Sequence, residues 1–478
     1  MIDVLARLRL PSYGWGIGLA VGCAAIGILA GLDPAYGVAA AVAVAFAAVV
    51  IGDAAVGLIL FTFLSFLDVV NSGGTEASFM KVAGLLLFAS WLAGASIRGR
   101  RAGMTLMQAS PTIVVASIAF VAWSALSIAW SQHAGLAVTD TYRYVLLVIL
   151  IPIVFGVVRR RELVLWLAGA FVLGAVVSTL YGLMNPKSPV GSQASQLTGT
   201  IGDANEQAAV LVGAIALAIG LVGALKDHPV LRKMAWVGVL VCVAGVVNTL
   251  SRSGLIAFGF MMLAGIVFGG RWRRWAILLT VLGVVGTVGY FVAIAPSSAR
   301  QRVTMSNTSG RSTIWAIAWR MVQTHPLVGV GSGNFSADAI NYVQKSGPLT
   351  RADLIVDNPK IAHNIYLEML ADMGIVGLVA FLSIIGSALA AAWRAAQAFE
   401  RSGDLALELM SRCVILALIG FMASDFFISG QFEKQLWLVV ALGPTLFALS
   451  RDQAREKVMS LARGGTRRRQ PELAEAHV

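Results

Sequence analysis

The chain has 478 residues, of which 58% are hydrophobic and 13% are charged, and its formal net charge is +12 at pH 7. This much apolar sequence excludes an ordinary soluble domain and is typical of a polytopic membrane protein. The positive charge does not indicate nucleic acid binding, because the basic residues form short clusters between apolar runs and in the tail.

Apolar runs that could cross a ~30 Å hydrocarbon core as helices follow one another along almost the whole chain. We therefore predict an all-α, polytopic integral membrane protein with about 12–14 transmembrane helices. The candidate runs are residues 15–32, 36–51, 54–69, 79–97, 112–130, 142–158, 163–183, 206–225, 234–250, 254–270, 275–295, 364–392, 413–429 and 435–449.

Loop charge predicts the orientation, since cytoplasmic loops of membrane proteins carry an excess of Lys and Arg. One alternating set of loops is basic and the other is nearly neutral, which predicts that both termini are cytoplasmic. The basic tail is expected to lie along anionic membrane lipids. The basic loops contain Arg98, Arg159, Arg160, Arg161, Lys226, Arg232, Lys233, Arg271, Arg273, Arg274, Arg394, Arg401 and Arg412.

These patterns divide the chain into five predicted regions. Two of them are membrane-spanning and precede a long outward loop, and a further spanning region and a tail follow it. They are 1–198, an N-terminal transmembrane bundle; 199–295, transmembrane helices with an outward arginine turn; 296–362, the outward loop with an amphipathic helix; 363–450, C-terminal transmembrane helices; and 451–478, the basic cytoplasmic tail.

The long loop 296–362 carries positive charge on the side where it is normally scarce. Long translocated loops are exempt from the charge rule, so the predicted orientation stands. The excess, a net charge of +4 from seven basic and three acidic residues, requires another reason. These residues are Arg300, Arg302, Arg311, Arg320, Lys345, Arg351 and Lys360 against Asp338, Asp353 and Asp357.

Within this loop, residues 311–323 predict a helix that lies with its apolar face on the membrane surface or on the helix bundle. His325 and Pro326 would end the helix, and a glycine-rich turn follows at 329–334. No strand precedes these glycines, so the turn does not indicate nucleotide binding. The apolar face consists of Ile314, Ile317, Ala318 and Met321.

Two arginines at expected outward helix starts are candidates for binding an anion. Arg252 stands in a tight connection between two apolar runs, and Arg311 begins the loop helix. A guanidinium binds phosphate or pyrophosphate through parallel N–H groups, and helix N-terminal N–H groups favour an anion as well. Simpler interpretations remain open: Arg252 as a helix cap or headgroup contact, and Arg311 as a solvated charge.

His363 is the candidate general base on the same side. Its unperturbed pKa of ~6.5 suits proton acceptance from a hydroxyl near neutral pH, although a histidine at a helix start can also be purely structural. Asn364 is the expected N-cap of the following helix.

Two further polar residues could support this site. Asp425, near the outward end of an apolar run, could orient a histidine or an arginine. Asn205, in the polar entry to the run 206–225, is either a capping residue or a contact to a polar ligand. We see no acidic ligand cluster on the outward side, and so predict neither a metal nor a cofactor.

Four segments carry a family resemblance when they are taken together. They are Ser251-Arg252-Ser253-Gly254; Gly310-Arg311 with Trp315; His325-Pro326-Leu327-Val328-Gly329-Val330-Gly331; and Ala362-His363-Asn364-Ile365-Tyr366-Leu367-Glu368 followed by Gly374-Ile375-Val376-Gly377-Leu378. This combination resembles the O-antigen ligase and Wzy-type polymerase superfamily of bacterial envelope enzymes, over roughly residues 199–378 and in the multi-span plan.

The resemblance implies a metal-independent glycosyltransferase of the GT-C type in the bacterial inner membrane, with a periplasmic active site. Its donor would be a glycan linked to undecaprenyl through pyrophosphate. By this resemblance, Arg252 and Arg311 would bind the leaving pyrophosphate and His363 would be the general base. Asp425 would be a supporting acid by position only, and Asn205 and Asn364 would be further substrate contacts.

We expect ligation of a glycan to a lipid A-core acceptor. Polymerisation of O-antigen or exopolysaccharide units onto a growing glycan, and protein O-glycosylation, are alternatives that use the same donor chemistry. The competing class is a transporter or flippase, which predicts charged residues near the bilayer midplane and paired broken helices in two halves. The candidate residues gather instead at the outward side.

Overall fold

A computed structural model of the protein describes residues 23–24, 26–67, 79–97, 104–186, 195–304, 310–343 and 360–468. Part of the first candidate run lies outside these residues, as does the end of the basic tail. The same holds for five charged residues of the predicted loops, namely Arg98, Lys345, Arg351, Asp353 and Asp357.

The described chain is helical, which confirms the predicted all-α fold class. Its longer helices are α1 (Pro34–Gly52), α2 (Ala54–Leu64), α3 (Phe79–Ile97), α4 (Pro111–Leu126), α5 (Ala134–Val148), α6 (Leu150–Val157), α7 (Arg161–Met184), α8 (Ala204–Ala224), α9 (Pro229–Asn248), α10 (Arg252–Phe268), α11 (Arg273–Gly289), α12 (Ser297–Thr304), α13 (Arg311–Thr324), α14 (Ile365–Ser402), α15 (Leu405–Ser424) and α16 (Lys434–Arg468).

Within the described residues, eight helices are long and apolar enough to cross a membrane, and three shorter apolar helices accompany them. The observed helices follow the predicted runs closely: α8 corresponds to the run 206–225 and α9 to the run 234–250. Hydropathy locates these helices well because each must place an almost continuous apolar surface in lipid or in the bundle.

Helix α8 forms the centre of the bundle. Almost all of its residues are buried, and it packs chiefly against α15 and α9. The approach of α8 to α15 is close, since a Cβ at Gly213 would lie 2.6 Å from the ring of Phe421. This packing fixes the first turn of α8, which lies at the candidate site.

Several of the described basic residues that were predicted for the cytoplasmic loops lie within helices, and one of these, Arg412, is buried at the end of the bundle opposite the start of α10. Arg412 lies inside α15, is 3% exposed, and forms ion pairs with Glu408 and Glu400 at 3.0 and 2.8 Å. It also donates to the carbonyl oxygen of Phe268 at 2.6 Å, and Arg271 pairs with Glu408 at 3.1 Å. The interpretation of Arg412 as a loop charge is therefore wrong, because Glu408, Glu400 and the Phe268 carbonyl hold it within the bundle.

The amphipathic loop helix lies on the bundle, as α13. Its predicted apolar face is buried against Val330 and Ala371. The members of that face, Ile314, Ile317, Ala318 and Met321, are at most 2% exposed. Helix α13 is thereby fixed against the first turns of α14.

Helix α14 was expected to be a continuous run and is instead broken at Gly374, which has φ 65° and ψ −170°. This backbone conformation is open essentially only to glycine. The segment 326–331 docks at the break, where Ile375 donates to the Pro326 carbonyl and Val330 and Gly331 donate to the carbonyls of Ala371 and Asp372. The break lets residues 365–373 form a separate short helix beside the glycine-rich turn.

Candidate active site

Three predicted site residues converge at the end of the bundle where α8, α10 and α14 begin. Arg252 is the first residue of α10, Arg311 is the first residue of α13, and His363 lies two residues before α14. The positive charge of Arg252 lowers the pKa of Arg311, and the positive charge of Arg311 lowers the pKa of His363. The predicted grouping of two arginines and a histidine is therefore present in the fold.

A network of hydroxyl groups and one amide positions Arg252. The Ser251 hydroxyl accepts from the Gly254 N–H at 3.1 Å and so caps α10. The same hydroxyl donates to the side-chain oxygen of Asn205 at 2.8 Å, and Ser253 donates to that oxygen at 3.3 Å. Asn205, predicted as a cap or ligand contact, ties the arginine turn to the start of α8.

A third arginine, which sequence analysis noted only as part of the loop charge, joins this group. Arg302 donates from Nη2 to the Gln196 side-chain oxygen at 2.7 Å. Burial lowers the pKa of Arg302 and of Arg311, and in both cases the positive charge of Arg252 lowers the pKa further. Arg252 thus repels both Arg302 and Arg311, and an anion would stabilise a site with these three guanidinium groups.

The backbone of His363 is held in an unusual conformation. Its φ is 50°, in the left-handed region that non-glycine residues seldom adopt. On the N-terminal side, Ala362 is bound twice: its N–H donates to Glu368 Oε2 at 2.9 Å, and its carbonyl accepts from Trp315 Nε1 at 3.1 Å. The surrounding structure therefore fixes the conformation of this histidine.

The C-terminal side of His363 is fixed by the start of α14. The side-chain oxygen of Asn364 accepts from the N–H groups of Tyr366 and Leu367, each at 3.0 Å, which confirms the predicted N-cap. The Ile365 N–H donates to the carbonyl of Asp425 at 2.9 Å. Asn364 is 2% exposed, so its buried side chain helps to orient the loop that holds His363.

Electrostatics favour the neutral form of His363. Burial lowers its pKa first, the positive charge of Arg311 lowers it further, and Lys360 adds to the same effect. The negative charge of Asp203 opposes them by raising the pKa. A neutral imidazole can accept a proton, which is the property required of a general base.

The carboxyl group of Asp425 does not contact His363. Asp425 follows the last residue of α15 and is fully buried, and its two carboxyl oxygens form no hydrogen bond within the described residues. Burial and then the negative charge of Glu206 raise its pKa well above the usual range. Its contact with the histidine loop is made by its backbone carbonyl, which binds Ile365.

Sequence analysis named Glu368 within a motif but assigned it no role. Its carboxylate accepts from the Ala362 N–H, from the Ser429 hydroxyl and from the Gln431 side-chain amide. These contacts join the histidine loop to the segment before α16. The sequence feature that could have indicated this role is the position of Glu368, which lies five residues after His363 and in the first turn of the helix.

The structure is that of a multi-pass helical membrane protein with three arginines and a histidine at one end of the bundle. Residues 237–382 match the O-antigen ligase family, which confirms the resemblance seen in the sequence. Members of the family are membrane ligases and polymerases of lipid-linked glycans, so the chain is an enzyme of this broad kind. A search of curated proteins finds no match.

The matched segment contains Arg252, Arg302, Arg311 and His363 together with the break at Gly374. It excludes Asp203 and Asn205, which belong to the start of α8, and it excludes Asp425. The site therefore combines a family segment with supporting residues from two helices outside it.

Proposed function

We propose that this protein transfers a glycan from undecaprenyl pyrophosphate to an acceptor hydroxyl at the periplasmic face of the bacterial inner membrane, without a metal. The observation that carries the proposal is a group of three arginines at one end of the bundle, in which Arg252 lies near Arg302 and Arg311. Arg311 in turn lies near the conformationally fixed His363. A displaced pyrophosphate needs positive charge where negative charge develops, and three guanidinium groups supply it.

In the proposed reaction, the acceptor hydroxyl oxygen attacks the anomeric carbon of the donor glycan. His363 takes the hydroxyl proton as the new C–O bond forms, and the bond between the anomeric carbon and the pyrophosphate oxygen breaks. The pyrophosphate leaves with the bonding electron pair and is neutralised by the arginines. Undecaprenyl pyrophosphate and the extended glycan are the products.

We propose the lipid A-core as the acceptor. Growing glycan chains and protein hydroxyl groups are alternative acceptors for the same donor chemistry. A transporter or flippase is disfavoured, because the candidate residues gather at the end of the bundle and the buried ion pairs of Arg412 lie at the opposite end, beside Arg271.

Complementation of a deletion strain tests the proposal. We expect His363→Ala and Arg252→Ala each to abolish the surface glycan while undecaprenyl-linked glycan accumulates. His228→Ala and Arg232→Ala, which alter exposed residues at the opposite end, are matched controls and should complement fully. Surface glycan unchanged in both site variants would exclude the transferase. Accumulated polymer beside free core would indicate a ligase, and single-repeat caps would indicate a polymerase.

A further inference from the structure

A cavity of about 540 Å³ lies beside the histidine loop and is not explained by the reaction centre. Its walls come from α5, the start of α8, the first turns of α14, the glycine-rich turn and the segment before α16. Ile361 and Glu368, on either side of the loop that holds His363, both line it. The cavity therefore opens next to the proposed general base.

The lining of this cavity is acidic, in contrast to the arginine group. Five carboxylates line it against two basic side chains. Three of the five carboxylates have protein partners: Glu368 binds the histidine loop, Asp372 accepts from the N–H groups of Gly333 and Phe335, and Asp140 pairs with Arg143. These three are structural, and they line the walls with carboxyl oxygens.

Two lining side chains, in contrast, have polar atoms without protein partners. Gln431 is 2% exposed, and its side-chain oxygen forms no hydrogen bond within the described residues. Both carboxyl oxygens of Glu433 are likewise buried without a hydrogen bond. Buried polar atoms without a hydrogen bond are costly to leave unsatisfied, so their positions point to a ligand that donates hydrogen bonds.

The cavity also presents aromatic surface. Phe335 and Phe432 line it, and Phe432 is held between the guanidinium of Arg143 at 3.5 Å and the ring of Tyr144 at 4.8 Å. A sugar ring offers hydroxyl donors around its edge and C–H groups on its faces. Acceptor oxygens beside aromatic rings match that combination.

We propose that this cavity is a subsite for one sugar unit of the transferred or accepting glycan, and that it selects uncharged or amino-bearing sugars over uronic acids and phosphorylated sugars. The inference rests on the proposed transferase function and adds the chemical class of the sugar next to the reacting hydroxyl. Glu433 and the Gln431 oxygen accept hydrogen bonds from the sugar, whereas a carboxylate or phosphate would place further acceptor oxygens against them.

Saturation-transfer NMR on the full chain in lipid nanodiscs tests the subsite directly. The probes are glucose, glucosamine, glucuronate and glucose 6-phosphate. We expect the first two to bind and the two anionic sugars to bind at least about fivefold more weakly, because their acceptor oxygens would face the acceptor oxygens of the cavity. Equal binding of glucuronate and glucose would overturn the proposal.

Glu433→Ala separates a ligand role from a structural role. We expect it to remove most of the glucose signal without lowering the melting temperature, because the deleted carboxyl has no hydrogen-bond partner to leave unpaired. Glu162→Ala, which deletes an exposed carboxylate at the opposite end of the bundle, is the matched control and should retain the signal. An undiminished glucose signal in Glu433→Ala contradicts the subsite.

Preloading with the undecaprenyl-linked donor assigns the sugar to its source. If the donor displaces glucose, the cavity binds a sugar of the donor. If glucose stays bound, the cavity binds a sugar of the acceptor. The two proposals fail separately: glucose binding without any transfer by the unaltered protein rejects the transferase alone, and transfer without any glucose binding rejects the subsite alone.

Discussion

His363 lies between charges of opposite sign, and these charges decide how its protonation responds to substitution. Lys360 lowers its pKa and Asp203 raises it, while burial and Arg311 set the overall shift toward the neutral form. As general base the histidine must be unprotonated, so the transfer rate falls as pH drops through its pKa.

Two charge-removing variants should therefore move the acidic limb of the pH–rate profile in opposite directions. Lys360→Met removes a charge that lowers the pKa of His363, so the limb moves to higher pH. Asp203→Asn removes a charge that raises this pKa, so the limb moves to lower pH. Asparagine can still cap α8 in place of Asp203, which accepts from the Asn205 N–H at 2.7 Å.

Rates of transfer measured across pH 5–8 in nanodiscs check this prediction, and His228→Ala is the control with an unshifted limb. Shifts of the same sign in both variants would show that the limb does not report His363. A limb absent from all variants would mean that no histidine titrates in the rate-limiting step.

The place of Arg302 in the candidate site could not be predicted from the sequence. Arg252 and Arg311 stand in recognisable motifs, and the structure brings them together as predicted. Arg302 is fifty positions from Arg252 and has no motif around it, so only the folded position of α12 reveals their proximity. The excess positive charge of the loop 296–362 was the one indication of a third arginine at the site, and a net charge does not identify a particular residue.

Helix α14 was predicted only in part from the sequence. Its apolar run predicted a span, and its N-cap was predicted from Asn364. The break at Gly374 was not predicted, because glycine is common inside membrane helices and its φ depends on what docks beside it. The segment that docks there, 326–331, lies more than forty residues away in the sequence.

Substitution of this glycine should be costly. At Gly374 a Cβ would lie 2.1 Å from the Leu327 carbonyl oxygen, and the backbone conformation itself excludes other residues. We expect Gly374→Ala to destabilise the protein by about 3 kcal/mol or more and to abolish transfer.

Gly386→Ala is the matched control, since no atom lies within 4 Å of a Cβ at that position of the same helix. Alanine there should be neutral or stabilising by up to about 1 kcal/mol. Thermal unfolding in detergent compares the two variants. Equal melting temperatures would show that the break tolerates a side chain.

Across the whole molecule, the arginines at the two ends of the bundle differ in their surroundings. The arginine group at the candidate site is poised for an anion, whereas Arg412 at the other end is satisfied by Glu408, Glu400 and the Phe268 carbonyl. Removing one member of a buried ion pair leaves an uncompensated charge, which is far costlier than removing both.

We therefore expect Arg412→Met to lower the free energy of unfolding by about 3–5 kcal/mol, and Arg412→Met with Glu408→Met to recover part of this loss. The acidic limb assigned to His363 should not move in either variant that folds. Denaturant titration in detergent measures the coupling. Additive losses in the double variant would show that Arg412 and Glu408 do not stabilise one another.

The break in α14 also has a mechanical consequence. Spanning helices tilt when bilayer thickness changes, and residues 375–402 can tilt about the joint at Gly374. Residues 365–373 are held instead by hydrogen bonds from the glycine-rich turn to Ala371 and Asp372. The reaction centre is thus insulated from the membrane around it, and its turnover should be nearly the same in vesicles of short-chain and long-chain lipids.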